Sequence, residues 1–129
     1  MRVSETITRL KSDVPSKNDH QVLSFQFHGY IILIGQNAFS NERLVSDHPH
    51  RQCYWMHAMA AAGSHVILCS NGKADPTDDV IQHAAKLALR HSHSQASTVS
   101  MAILKDIFKP EGYGMGVFKV RRSVPVEVL

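Results

Sequence analysis

From Val22 the chain alternates, with Leu23, Phe25 and Phe27 against Ser24, Gln26 and His28, the period of a half-buried strand. His28-Gly29 offers a tight turn, and the bulky run Tyr30–Ile34, ended by Gly35, reads as the hairpin's second strand, buried on both faces. The polar stretch from Asn37 to Arg51 suggests a short helix or loop. Tyr54–His57 and His65–Cys69 predict two more short strands, separated by the small-residue segment from Ala60 to Gly63. The clearest helix spans about residues 76–91. Asp75 is suited to cap it and Pro76 to occupy its first position, while Asp78 and Asp79 favour its positive end. Val80, Ala84, Leu87, Ala88 and His91 define the inward face, and His83, Lys86, Arg90 and His93 step by three, four and three along an outward stripe. Three further strands are predicted, at Val99–Phe108, Gly116–Arg122 and Val124–Val128, the last an edge strand because it contains Pro125. The sum is an α+β domain, a mostly antiparallel sheet with one principal helix packed on it. Residues 1–20, with a polar turn-forming cluster from Asp13 to Asp19, read as a poorly ordered leader, and residues 21–129 as one domain.

A chain of 129 residues with 43% hydrophobic and 19% charged positions supports an ordinary core and excludes collagen-like or wholly disordered classes. No apolar stretch approaches the roughly 20 residues needed to cross a bilayer, and Met1–Ser12 lacks the apolar block of a secretory signal. Cys53 and Cys69 are too few for a disulfide framework, so the expected compartment is reducing and cytoplasmic. The net charge is +3 and unevenly spread. Residues 1–79 carry seven basic and eight acidic side chains, whereas 80–129 carry Lys86, Arg90, Lys105, Lys109, Lys119, Arg121 and Arg122 against three acids. Such a basic half suits a polyanionic partner without implying sequence readout.

The densest chemistry lies in His48-Pro49-His50-Arg51-Gln52-Cys53-Tyr54-Trp55-Met56-His57. Three histidines and a cysteine invite zinc, but their spacing fits no established zinc pattern and the chain has no CxxC pair, so neither metal nor cofactor is expected. Ser64 with His57 or His65 as base is a conceivable nucleophilic site. Adjacent strand residues point to opposite faces, however, and no GxSxG elbow is present. Gly112-Tyr113-Gly114-Met115-Gly116 matches no phosphate loop and reads as a flexible turn. Trp55 and His57 share a strand face, where they either anchor the core or stack on a nucleobase.

Tyr54-Trp55-Met56-His57, Gly63-Ser64-His65-Val66-Ile67-Leu68 and Ala84-Ala85-Lys86-Leu87-Ala88 followed by Ser92 resemble the signature of the NFACT-R domain family. Ile34-Gly35-Gln36-Asn37 with Asn41-Glu42-Arg43-Leu44 is similar to the segment before that signature, and Lys109–Gly112 with Met115-Gly116-Val117 to its closing hairpin. The resemblance covers about residues 23–129. It implies a non-catalytic RNA-binding domain in a ribosome-associated quality-control setting, with tRNA, rRNA or the large ribosomal subunit as partner. It marks Asn41, Trp55, His57, Gly63, Ser64 and His65 as binding surface and scaffold, with His65 a buried histidine bonded to backbone. Gln36, Met59 and Cys69 depart from positions where the family often carries a basic residue, Cys53 from an acidic one and Ala62 from a proline. Arg43, Lys86, Arg90, Lys105, Lys109, Lys119 and Arg121 are the candidate phosphate contacts. Two alternatives accompany this reading. One is a protein-interaction module or homodimer using an apolar patch around Trp55, Met56 and Met59. The other is an RNA-processing enzyme built on His57, Ser64 and His65.

Overall fold

The computed structural model describes the backbone of residues 6–9 and residues 22–46, 53–59, 63–70, 72, 74–92 and 95–129 in full. His48, His50, Arg51 and His93 lie outside the described residues, as does most of the expected leader. Strands β2 (Val22–Phe27) and β3 (Tyr30–Gly35) form the expected hairpin. His28 and Gly29 both take positive φ, 53° and 83°, which gives the turn the twist that adjoining antiparallel strands need. Strand β1 (Thr6–Arg9), within the expected leader, pairs with β2 at one sheet edge. Helix α1 (Ala38–Ser46) follows β3. Its start is fixed reciprocally: Asn37 Oδ1 accepts from the Ser40 amide, and Ser40 Oγ accepts from the Gln36 and Asn37 amides.

Strands β4 (Cys53–Ala58) and β5 (Val66–Cys69) make the second hairpin, and β5 inserts beside β3. Helix α2 (Asp78–Ser92) starts two residues later than the capping residues suggest. The Tyr30 hydroxyl donates to the Ala74 carbonyl and holds that stretch outside the helix, while the Thr77 carbonyl accepts from the Ile81 amide. The segment expected as a single strand from Val99 to Phe108 is broken. It comprises β6 (Thr98–Ile103), a 3-10 turn at Leu104–Asp106 and the short β7 (Ile107–Phe108). Only β8 (Lys119–Val120) of the expected Gly116–Arg122 strand is regular, and it pairs with β7. Strand β9 (Val124–Glu127) lies at the far edge of the sheet, with Pro125 in register with Ser100.

The main sheet is antiparallel with order β1-β2-β3-β5-β4-β6-β9. One face packs Phe25, Phe27, Ile32, Ile34, Met56, Val66 and Leu68 against Val80, Ala84, Ala85, Leu87 and Ala88 of α2. The other face carries Val22, Leu33, Cys53, Trp55 and Ile67, covered by Leu44 and Val45 of α1 together with Leu104 and Ile107. Cover on both sides explains why β3 and β5 are continuously apolar. Directly across β4 and β5, Cys53 and Cys69 form a disulfide, with their Cα atoms 4.3 Å apart. Two cysteines, too few for a disulfide framework, thus still make one bond, which a reducing compartment did not lead one to expect. The spacing of the pair says nothing of its register, and register alone sets the two side by side. No described helix is long and apolar enough to cross a membrane.

Candidate functional site

The period of β4 places Cys53, Trp55 and His57 on the α1 face of the sheet. Trp55 is only 6% exposed and lies parallel to His57, with ring centroids 5.7 Å apart. Its indole Nε1–H donates to Nδ1 of His65 at 3.0 Å. His65 meets His57 edge-on at 4.9 Å and Phe118 at 5.8 Å, which completes a cluster of four rings.

Asn41 of α1 holds His65 from behind. Its Oδ1 accepts from the His65 amide at 3.1 Å and its Nδ2 donates to the Gly63 carbonyl at 3.3 Å. The His65 carbonyl accepts from the Gly35 amide at 2.9 Å, so the segment before β5 is bound from two sides. Gly63 is required sterically: a Cβ there would come within 2.6 Å of both Cβ and Oγ of Ser92, the last residue of α2. Ser64 Oγ donates to the His91 carbonyl at 3.2 Å and satisfies one of the orphan acceptors at the helix end.

These parts enclose an open cavity of about 670 Å³ between the start of α1, the end of α2 and the loop Met115–Phe118. Its walls include Asn37, Asn41, Trp55, His57, Ser64, His65, Ser92 and Phe118, and hold no Asp, Glu, Lys or Arg among the described residues. Burial holds the His57 imidazole below its ordinary pKa, against backbone hydrogen bonds at Ala58 and Gly63 that favour its charged form. His65 is pushed down to about 3, first by burial and then by the His57 and Lys109 charges. At neutral pH His65 is therefore uncharged. Ser92 Oγ is buried and bonds to nothing among the described residues.

Lys109 stands at the mouth as a strap. Its ammonium donates to the Gly114 carbonyl and, at 2.8 Å, to that of Val117; it pairs with Glu42 at 3.0 Å and lies 4.4 Å from the centre of the Phe118 ring. Glu42 also accepts from the Gly116 amide at 2.8 Å. The Arg121 guanidinium covers the Phe108 ring at 4.6 Å. Arg43, Lys86, Arg90, Lys105 and Lys119 are exposed but do not line the cavity.

Of the residues singled out in the sequence, Asn41, Trp55, His57, Ser64 and His65 thus converge on one cavity. Four expectations need correction. Trp55 is not an exposed stacking platform, because the sheet buries it and its polar edge is bonded to His65. His65 is bonded through its ring to an indole rather than to backbone. Lys109 is engaged by Glu42 and loop carbonyls, which removes it as a free phosphate contact. Of the proposed apolar patch only Met59 is exposed, since Trp55 and Met56 are core. Outward on α2, His83 leaves the basic stripe by stacking flat on Phe27, with centroids 4.0 Å apart. Phe118 was missed as a wall residue. The glycine-rich turn before it hid the signal, because its approach to α1 depends on chain reversal far from the motif. Among the described residues no group of three His, Cys, Asp or Glu side chains is placed to hold a metal ion.

Comparison with known proteins gives a consistent match. The family model described as NFACT protein RNA binding domain matches residues 21–112. The Rqc2 homolog RqcH of Streptococcus pneumoniae (strain D39) is 36% identical over 85 residues, or 64% of this chain and 15% of that protein. The Rqc2 homolog RqcH of Bacillus subtilis (strain 168) is 31% identical over 87 residues, 65% of this chain and 15% of that protein. The chain thus matches 15% of the length of these curated relatives. The solved C-terminal part of the fibronectin/fibrinogen-binding protein from Streptococcus suis is similar with a TM-score of 0.69 and 33% identity, covering 77% of this chain and 41% of that one.

Proposed function

The chain belongs to the NFACT protein RNA-binding domain family, and from that premise we propose that it binds RNA by taking one unstacked nucleobase into the cavity beside His57, His65 and Phe118. The observation that carries this reading is the cavity's character: about 670 Å³, walled by rings and amides, with no Asp, Glu, Lys or Arg among the described residues that line it. A space of that size suits a single ring system with its sugar. Its chemistry suits a base rather than a phosphate, and proteins that read single-stranded RNA splay bases onto aromatic and imidazole rings in this way. The phosphates then fall outside. Arg90 and Lys119, exposed and adjacent in sequence to the wall residues His91 and Phe118, are the cations proposed to receive them.

The proposed setting is cytoplasmic and ribosome-associated, with the large subunit, tRNA or rRNA supplying the base. The proposed role is non-catalytic. Ser64 gives its hydroxyl to a helix carbonyl rather than to an imidazole, and His65, with a pKa of about 3, is a poor proton carrier near neutrality. The competing protein-partner or homodimer reading keeps one supporting observation, the exposure of Tyr113, Met115 and Val117 near the mouth. Those side chains would equally flank a seated base.

Fluorescence anisotropy with tRNA and with single-stranded hexamers, at about 50 and 200 mM salt, tests the proposal. Two phosphate contacts predict a loss of affinity of about sevenfold between these conditions. His57→Ala should weaken binding at both salts by about tenfold, the scale of one stacked base. Absence of binding at the lower salt rejects the proposal.

A further inference from the structure

Trp55 and His65 support an inference that rests on the base-pocket reading and extends it. An indole nitrogen can only donate, so its 3.0 Å contact requires Nδ1 of His65 to present a lone pair. The neutral imidazole must then carry its single proton on Nε2. His65 is 7% exposed and lines the cavity, and no described residue is bonded to that Nε2. Ser92 Oγ, in the same wall, is buried and has no partner among the described residues. Buried polar atoms are nearly always hydrogen-bonded, so an unmatched buried hydroxyl beside an imidazole N–H that faces the cavity points to a polar guest.

We propose that Trp55 is a positioning residue that locks His65 in its Nε2–H form, and that this N–H reads a carbonyl or ring-nitrogen acceptor on the seated base, with the Ser92 hydroxyl as a second polar contact. The lock has a clear physical rationale. A free imidazole divides its proton between two nitrogens and, when protonated, becomes a donor at both. Here the indole occupies one nitrogen, and the surroundings oppose a second proton. His57 on β4 and the Lys109 ammonium both disfavour a charge on His65, Glu42 is already paired with Lys109, and His91 lies across the cavity at the end of α2. The donor is thus a single N–H of fixed direction over the whole physiological pH range. Trp55→Phe keeps an aromatic ring in the core but removes the indole N–H and frees Nδ1.

The experiment has two arms on the full chain. In the first, long-range ¹H–¹⁵N correlation of histidine rings, recorded from about pH 5 to 8, should give His65 as the Nε2–H form throughout. A Nδ1–H form, a mixture, or titration within that range overturns the proposal whatever the binding result. In the second, the probes are hexauridylate and hexaadenylate, each beside the hexamer of its apolar shape analogue (difluorobenzene for uracil, methylindole for adenine). Wild type should prefer at least one natural hexamer over its analogue by about tenfold, the scale of one hydrogen bond. Trp55→Phe should erase that preference, and Ser92→Ala should reduce it several-fold. Wild type that binds natural hexamer and analogue equally overturns the donor assignment and leaves the base pocket standing. Wild type that binds none of the four rejects the pocket reading and this inference with it. If Trp55→Phe does not fold, the wild-type spectrum and the wild-type preference decide between these outcomes.

Discussion

Asn41→Ala tests how the site is held. The substitution removes two hydrogen bonds at once, from the His65 amide to Oδ1 and from Nδ2 to the Gly63 carbonyl. The first leaves a buried amide with no partner, which costs about 1–3 kcal/mol; the second strands a carbonyl on a half-buried residue that water can partly satisfy. Together the loss is about 2.5 kcal/mol. At about 2.1 cal/mol/K per residue, a 129-residue domain unfolds with an entropy of roughly 0.27 kcal/mol/K, so Tm should fall by about 9 °C. Asn41→Asp keeps the acceptor for the His65 amide but buries a carboxylate against the Gly63 carbonyl, so its fall should be at least as large. Circular dichroism melts at neutral pH check both values, and RNA anisotropy below the transition should show weakened binding as His65 slides from the indole. A Tm for Asn41→Ala within about 2 °C of wild type would refute the claim that this side chain clamps the segment before β5.

Three further outcomes are expected. Because His65 takes up its proton near 6.5 when unfolded but only near 3 when folded, stability should fall as pH drops through that window, by about 2 kcal/mol between pH 8 and 5. His57 acts in the same direction, and His65→Gln, which keeps an acceptor for the indole, should flatten the slope in urea melts at several pH values. Gly63→Ala drives a methyl into Ser92 and should cost about 1–3 kcal/mol; adding Ser92→Gly should recover most of it, and a double mutant no better than the single would discount the steric account. Reducing the Cys53–Cys69 bond, which spans a sequence separation of 16, should lower stability by about 3 kcal/mol, or about 11 °C in Tm, and Cys53→Ser should abolish the effect of reductant.

Much of the architecture is legible in local pattern. Alternation marked β2, the double-sided apolar run marked β3, and Pro125 placed the last strand at an edge, because each signal is written by the residues that form the element. The break between β6 and β7 was not legible: Val99–Phe108 is apolar enough for one strand, although Val99 packs in the α2-side core and Ala102, Leu104 and Ile107 in the α1-side core. The site divides along the same line. Trp55 and His57 share a face by strand period, and the resemblance gathered Asn41, Ser64 and His65. Yet the burial of Trp55, the neutrality of His65 and the capture of Lys109 depend on contacts among β4, α1 and the Lys109–Phe118 loop. Residue type suggested a cation at Lys109, and tertiary pairing turned it inward.

The disulfide has a topological consequence. Trp55, His57, Gly63, Ser64 and His65 all fall between Cys53 and Cys69, so the ring-bearing hairpin is a covalently closed circuit. A protease that cuts once anywhere between Ala58 and Gly63 liberates no peptide from the oxidised molecule. The severed halves stay tethered at the strand ends and migrate as one band until a thiol is added, with β4 and β5 still able to present their imidazoles to one another.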